Sequence, residues 1–255
     1  MYKEVIEKKF KDEEKITALN LYKKMMLAYE KDIPMFGNDF YPPNIWKFFE
    51  DEVKLKGLKV ETFGVFNDSE RRMISFNNLY NIEFPIKVLK IDASSKFNEV
   101  THRNYLGSLL SLGIERDKIG DLIVDNNICY VAVCSDISDY IIMNLERIGK
   151  NPCKIKEIPT GIEEINHQFK NEFILIQSMR LDSVVAKLTK KSRGIAQEII
   201  EEGLVLVNYT VTRSKSFEIS KGDRVTIRRY GKFIIGECSG QSKSGKYKIE
   251  IKKYT

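Results

Sequence analysis

The sequence predicts an α+β protein in three segments, and three observations carry that prediction. Stretches with apolar residues every three to four positions alternate with short runs of branched and aromatic residues at period two, so helices and strands are interspersed along the chain. Near residue 180 the pattern becomes two short helices leading into a strand. Charge divides at the same place: residues 180–255 hold 17 Lys+Arg against 8 Asp+Glu, a balance of +9, which leaves residues 1–179 at −3 of the whole chain's +6. The expected organisation is an N-terminal helical and α/β region over 1–80, a central α+β domain over 81–168 that could form one unit with it, and a C-terminal domain over 180–255 of two helices and a small β-sheet.

Taken in order, Val5, Ile6 and Phe10, then Ile16, Leu19, Tyr22, Met26 and Leu27, place one or two helices in residues 1–32, with Met25-Met26 as core filler. Phe40-Tyr41-Pro42-Pro43 breaks the helical pattern, and Asn44–Lys56 resumes it around Trp46 until Gly57. Leu58–Phe66 and Arg72–Phe76 alternate like paired strands about the polar turn Asn67–Glu70, and Arg71-Arg72 beside it read as exposed strand-edge charges, with contact to phosphate as the alternative. Pro85–Ala93 is a strand, Thr101-His102-Arg103-Asn104 opens a helix that Gly113 ends, and Ile119–Val124 with Ile128–Cys134 form a hairpin about Asp125-Asn126-Asn127. Ile137–Ile148 reads as helix, Cys153–Ile158 as extended, Glu163–Glu172 as a polar linker and Phe173–Ser178 as a strand.

Leu181, Val184, Val185 and Leu188 then give a short helix, Ser192 is the N-cap of a second with Ile195, Ile199 and Ile200, and Gly203 stands where a left-handed residue ends it. Leu204–Val207 starts a strand. The basic run Lys187, Lys190, Lys191, Arg193 falls at the helix junction, where backbone N–H groups and cations together suit a phosphate backbone.

Composition bounds the function. Hydrophobic content of 42% and aromatic content of 11% describe a globular protein. No run of about 18 apolar residues exists and the first residues are charged throughout, so a membrane span and a secretory signal are not expected and the cytoplasm is. The four cysteines, Cys129, Cys134, Cys153 and Cys238, form no C-x-x-C pair and read as reduced thiols. Neither His102 nor His167 has a Cys at metal-ligand spacing, and no metal or cofactor is expected. Gly240–Lys246 is one residue short of a phosphate-binding loop, has Tyr247 where Ser or Thr should ligate magnesium, and lies between strands; it reads as a basic hairpin turn whose Lys243 and Lys246 are candidate RNA contacts.

Arg180-Leu181-Asp182, Ser192-Arg193, Ala196, Ile199-Ile200, Gly203, Val205–Asn208, Ser214, and Gly222-Asp223 with Val225-Thr226-Ile227 resemble the RNA-binding domain first known from ribosomal protein S-four. Tyr209 departs from that pattern, which turns on Gly after the Asn. Thr101–Gly107, Leu112-Gly113-Ile114, Lys118–Asp121, Arg147-Ile148-Gly149, Phe40–Pro43, Phe63-Gly64 with Glu70-Arg71-Arg72, and Ser239–Lys246 look like the signature of the YlmH-type proteins, bacterial RNA-binding proteins with a C-terminal S-four domain. Asn104 stands where an acidic residue is expected. The resemblance implies an RNA-recognition-like central domain and an S-four-like C-terminal one. It also implies binding of structured RNA (rRNA, tRNA) on the large ribosomal subunit carrying stalled peptidyl-tRNA, in ribosome-associated quality control, with a link to cell division.

The chain is therefore expected to be a monomeric, non-catalytic RNA-binding protein. Its expected contacts are Arg180, Lys187, Lys190, Lys191, Ser192, Arg193, Gln197, Asn208, Arg213, Ser214, Lys215, Lys243 and Lys246, with His102, Arg103 and Arg147 as a secondary set. The alternative is an RNA-modifying enzyme of the pseudouridine synthase type. Against it, Asn104 replaces the Asp nucleophile that commonly follows His-Arg, and the chain lacks room for the large catalytic domain; signatures of aminoacyl-tRNA synthetases and methyltransferases are not seen either.

Overall fold

Ile6 and Phe10, then Ala18, Leu21, Met25 and Ala28, are all buried, so the helical spacing of these residues pairs α1 (Tyr2–Lys9) with α2 (Asp12–Lys31) and leaves their charges in water. In the computed structural model, residues 2–93, 100–160, 165, 169–242 and 245–254 are described. The chain divides into two units, 1–166 and 167–255.

In the first unit α2 ends on a left-handed Asp32 and is followed by β1 (Met35–Phe36). Helix α3 (Pro43–Lys47) then runs into a π-helical turn over Phe48–Glu52, and β2 (Val60–Phe63) and β3 (Met73–Phe76) complete an antiparallel sheet of order β1-β3-β2. The helix expected to run on to Lys56 thus stops at Val53, whose N–H reaches back to the Phe48 carbonyl at 3.2 Å. That wide turn lets both rings of Phe48-Phe49 enter the core, where they meet edge to face at 5.2 Å.

Next, β4 (Ile86–Asp92), α4 (His102–Leu110), β5 (Ile119–Asp125), β6 (Ile128–Cys134), α5 (Ser135–Asn144), the short pair β7 (Arg147–Ile148) and β8 (Asn151–Pro152), and β9 (Lys154–Ile158) follow. The four long strands form an antiparallel sheet, order β5-β6-β4-β9. Asn126 and Asn127 both take positive φ, the conformation of a two-residue hairpin turn, which is why an Asn pair sits there. The helix expected over Ile137–Ile148 ends four residues early. Leu145 and Ile148 are both buried, and the chain reaches those sites by leaving the helix at Leu145 and turning back through Gly149 at φ 59. The two sheets of this unit share a buried cluster of Phe40, Phe66, Met73, Ile86, Val88, Ile123, Ala132 and Cys134.

The second unit begins with β10 (Phe169–Ile176), so the last residues of the expected linker already pair with the strand at the chain's end. This is an edge strand, where polar residues are tolerated, and that misled the reading of Phe169–Glu172. Helices α6 (Leu181–Thr189) and α7 (Arg193–Glu201) lead into β11 (Val205–Val207), β12 (Thr210–Val211), β13 (Arg224–Ile227), β14 (Gly231–Gln241) and β15 (Tyr247–Tyr254). The sheet order is β10-β15-β14-β13-β11-β12, antiparallel throughout. Leu181, Val184, Val185, Ala196, Ile199 and Ile200 of the helices pack on Ile176, Val205, Val207, Val225, Ile227, Phe233, Ile235, Ile249 and Ile251, one face of that sheet. Tyr209, in the place of the family's Gly, takes φ 70 after Asn208 at φ 47 and closes the β11–β12 hairpin with Val207 opposite Thr210.

Candidate nucleic-acid interface

The α6–α7 junction is built around a carboxylate. Asp182 sits in the first turn of α6 between the apolar positions Leu181 and Val185, fully buried. Its Oδ2 accepts from Arg193 Nη2 at 2.9 Å and Nε at 3.0 Å, from Gln197 Nε2 at 3.2 Å and from Arg180 Nη2 at 3.3 Å, while Oδ1 accepts from Arg180 Nε at 3.3 Å. Burial raises the pKa of this group; the hydrogen bonds from Arg180, Gln197 and Arg193 outweigh it and hold the carboxyl below its ordinary value. Both guanidiniums stay in contact with water, Arg193 with 56% and Arg180 with 37% of its side chain exposed. One edge of each cation is therefore fixed while another is presented outward, an arrangement that suits bidentate capture of a phosphate.

Around this hub, α6 ends on Lys190 in the left-handed conformation, with the Lys191 N–H on the Ala186 carbonyl at 3.1 Å. Ser192 then caps α7, its Oγ accepting from the Ile195 N–H at 3.4 Å. Lys187, Lys190, Lys191 and Arg193 are all exposed. The loop after β12 folds back onto the same pair of helices: Leu181 and Asp182 donate their N–H groups to the carbonyls of Phe217 and Lys215, at 2.8 and 3.2 Å. Lys215 pairs with Glu201 at 2.6 Å, and the Arg213 guanidinium lies where a side chain on Gly203 would be, 2.7 Å from its Cβ position. Gly203 is required by its φ of 73, and a side chain there would displace the Arg213 guanidinium.

Arg180, Arg193 and Gln197 are therefore brought together at one carboxylate, with Arg213, Ser214 and Lys215 on a loop tied to the same helices. Two expected residues lie apart. The Asn208 amide ties its hairpin to the start of β13, Nδ2 donating to Asp223 Oδ1 at 2.8 Å and Oδ1 accepting from the Arg224 N–H at 3.0 Å. Lys246 stands in the β14–β15 hairpin, where its N–H meets Ser242 Oγ at 3.1 Å. Lys243 and His167 lie outside the described residues.

In the first unit, His102 and Arg103 open α4 and are exposed, as is Arg147 in β7. The turn that follows Arg147 is tied to α4 by the Gly149 N–H on Ser108 Oγ at 3.2 Å. Asn104 has a defined role here: its Oδ1 accepts from the Thr101 N–H at 3.0 Å and Oγ1 at 2.7 Å, closing the helix start. Arg71 and Arg72 are not the free strand-edge charges expected. Arg71 gives Nη2 to the Phe40 carbonyl at 2.6 Å, and Arg72 lies 4.6 Å over the Trp46 ring with Nε on the Ser69 carbonyl at 3.1 Å. The signal that sequence reasoning passed over is Asp182 itself, a carboxylate whose helical neighbours are apolar and which therefore has to find cations inside the fold.

No helix among the described residues is long and apolar enough to cross a membrane. Residues 80–161 match the family described as "Putative RNA-binding domain in YlmH", and residues 179–225 match the S4 domain. A curated relative, ribosome-associated protein quality control protein P2 of Bacillus subtilis, is 26% identical over 174 residues, 67% of this chain and 67% of the relative. Among solved structures, cell division protein YlmH from Streptococcus pneumoniae is 25% identical, covers 59% of this chain and 93% of its own, and superposes with a TM-score of 0.48.

Proposed function

We propose that this chain, which carries a YlmH-type RNA-binding domain followed by an S-four domain, is a non-catalytic protein that binds rRNA and tRNA on the large ribosomal subunit holding a stalled peptidyl-tRNA. The observation that carries the reading is the Asp182 hub, because it orients two partly exposed guanidiniums beside exposed lysines at a helix start and its single charge offsets only one of theirs. The Bacillus relative's name places that protein on the ribosome in quality control. Non-catalysis is supported by Asn104, whose side-chain oxygen is committed to the cap of α4 at the position a synthase-type nucleophile would need.

Lys187, Lys190 and Lys191 replaced together by Ala test the assignment without disturbing Asp182 or the Ser192 cap. The variant should melt like the parent and lose most of its affinity for purified large subunits. Its dependence of log affinity on log salt should be shallower by about two to three units, since each phosphate neutralised releases counterions. Wild-type affinity in this variant, with loss on replacing His102, Arg103 and Arg147, would move the interface to the central domain. Sequencing of crosslinked RNA then identifies the rRNA or tRNA element bound, and a protein-dependent modified nucleotide in that RNA would overturn the non-enzyme reading.

A further inference from the structure

We propose that the outer face of the C-terminal sheet is a second RNA surface, one that takes unpaired nucleotides by stacking them on aromatic rings. Alternation fixes which residues lie there. Ile249 and Ile251 of β15, Phe233 and Ile235 of β14, and Val225 and Ile227 of β13 point at the helices, so their neighbours point away. The strand registers then set Leu175 opposite Lys248, Phe173 opposite Glu250, Asn171 opposite Lys252 and Phe169 opposite Tyr254, with Ile234 between Lys252 and Arg224.

An antiparallel sheet packed on one face is normally polar on the other. This one exposes Phe173 by 55% and Leu175 by 42%. Its rings carry cations: Lys248 Nζ stands 4.3 Å from the Phe173 centroid, and Lys232 Nζ stands 5.2 Å from that of Tyr254 and 5.8 Å from that of Tyr209. Phe169 and Tyr254 meet edge to face at 4.8 Å, and Tyr209 accepts a hydrogen bond from Arg224 Nη1 at 2.5 Å. Among the described strand residues, four cations, Arg224, Lys232, Lys248 and Lys252, stand on this face against one carboxylate, Glu250.

That chemistry selects the occupant. A protein partner that covered the rings would have to desolvate the lysines beside them, and a duplex would offer phosphates but no base faces to the rings. Unpaired nucleotides use both, bases on the rings and phosphates on the lysines. Phe173 lies four residues along the strand from the Phe169–Tyr254 pair, about 13 Å, so the face offers two separate stacking positions rather than one. The surface is distinct from the α6–α7 junction, since those helices cover the opposite face.

Full-length protein titrated into fluorescein-labelled oligouridylate at low salt, and separately into a labelled RNA hairpin, separates this proposal from the helix-end reading. Phe173→Ala and Tyr254→Ala should each weaken oligouridylate binding roughly tenfold and leave hairpin binding within about twofold. Tyr254→Phe, which keeps the ring, should bind as the parent does, and the triple lysine variant of the helix junction should lose the hairpin while keeping oligouridylate. Lys252→Glu, on an exposed side chain, should weaken oligouridylate even if an aromatic variant folds poorly. No oligouridylate binding by the parent overturns the proposal. So does wild-type binding in all of the sheet variants, or a Phe173→Ala variant that only dissociates a dimer in sedimentation, which would make the face a contact between copies of the chain.

Discussion

In the N-terminal unit Arg71 gives Nη2 to the Phe40 carbonyl, and Arg116 gives Nη1 to the carbonyls of Ile119 and Gly120. In the C-terminal unit Arg193 and Arg180 also have a protein acceptor, Asp182, yet 56% and 37% of their side chains face water. Burial lowers the pKa of both N-terminal arginines, that of Arg116 to about 10 with the Arg71 charge adding to the effect. They remain charged at neutral pH and act as internal struts that tie the carbonyls of Phe40, Ile119 and Gly120. The same guanidinium chemistry is spent on folding in one unit and held outward in the other. A count of charges along the chain cannot make that distinction, because what decides it is the acceptor: a backbone carbonyl in the interior ends the matter, whereas a buried carboxylate reached from outside leaves the far edge of the cation available.

The hardest way to break the comparison is to remove a strut. Arg71→Ala leaves the Phe40 carbonyl without its charged donor and removes a cation whose field acts on Asp121, and should cost the N-terminal unit about 3 kcal/mol. Trp46 is the chain's one tryptophan and donates to the Glu70 carbonyl beside this arginine, so its fluorescence during a urea melt reports this unit alone. RNA affinity measured below the transition should be unchanged. A substantial loss of affinity in the folded variant would mean that the N-terminal arginines bind RNA after all.

The matching perturbation in the other unit is Asp182→Ala, with an expected cost of about 2–3 kcal/mol for the charged hydrogen bonds lost. Here the melt followed by Trp46 should not move, while far-UV dichroism shows the C-terminal unit unfolding earlier. RNA affinity should fall about tenfold as the two guanidiniums lose their common anchor. The pH dependence has a definite sign. The folded-state pKa of Asp182 lies below its ordinary value of 3.8, so its stabilisation is fully present above that value and is lost as pH falls through the folded-state value. The gap between parent and Asp182→Asn should therefore be wide at neutral pH and close only in strong acid. A gap independent of pH would show that Asp182 contributes through packing and not through its charge.

Much of the architecture was legible because it rests on local rules. Helical spacing gave α4 and the α6–α7 pair, the Asn126-Asn127 turn gave a hairpin, and Ser192 and Gly203 marked the ends of α7. What was not legible depended on distant partners. Phe169–Glu172 becomes strand only because Ile251–Tyr254 lies alongside, and the chain leaves α5 at Leu145 because Ile148 has a buried site to reach. The candidate site divides in the same way. Lys187, Lys190, Lys191 and Arg193 were readable from their position at a helix junction, whereas the amide of Asn208 is taken up by Asp223 and Arg224, fifteen and sixteen residues away. Asp182 was visible in the motif, but its part as anchor depends on Arg193 and Gln197 returning to it from the next helix.

The mildest probe of the comparison changes no residue at all. Cys129 and Cys134 are buried in the N-terminal unit, where burial pushes both thiols up, that of Cys134 to about 12, and Cys153 of the same unit is raised for the same reason. Cys238, on β14 of the C-terminal unit, is exposed. The thiolate is the reactive form, so an aromatic disulfide reagent at mildly alkaline pH should label Cys238 first, Cys153 more slowly, and Cys129 and Cys134 only when the N-terminal unit opens. Arg71→Ala should speed the last two and leave Cys238 unchanged, and Asp182→Ala should do neither. If Asp182→Ala instead released Cys129 and Cys134, the two units would be opening as one, and the contrast between an arginine strut and an arginine held outward would have to be sought within a single cooperative structure.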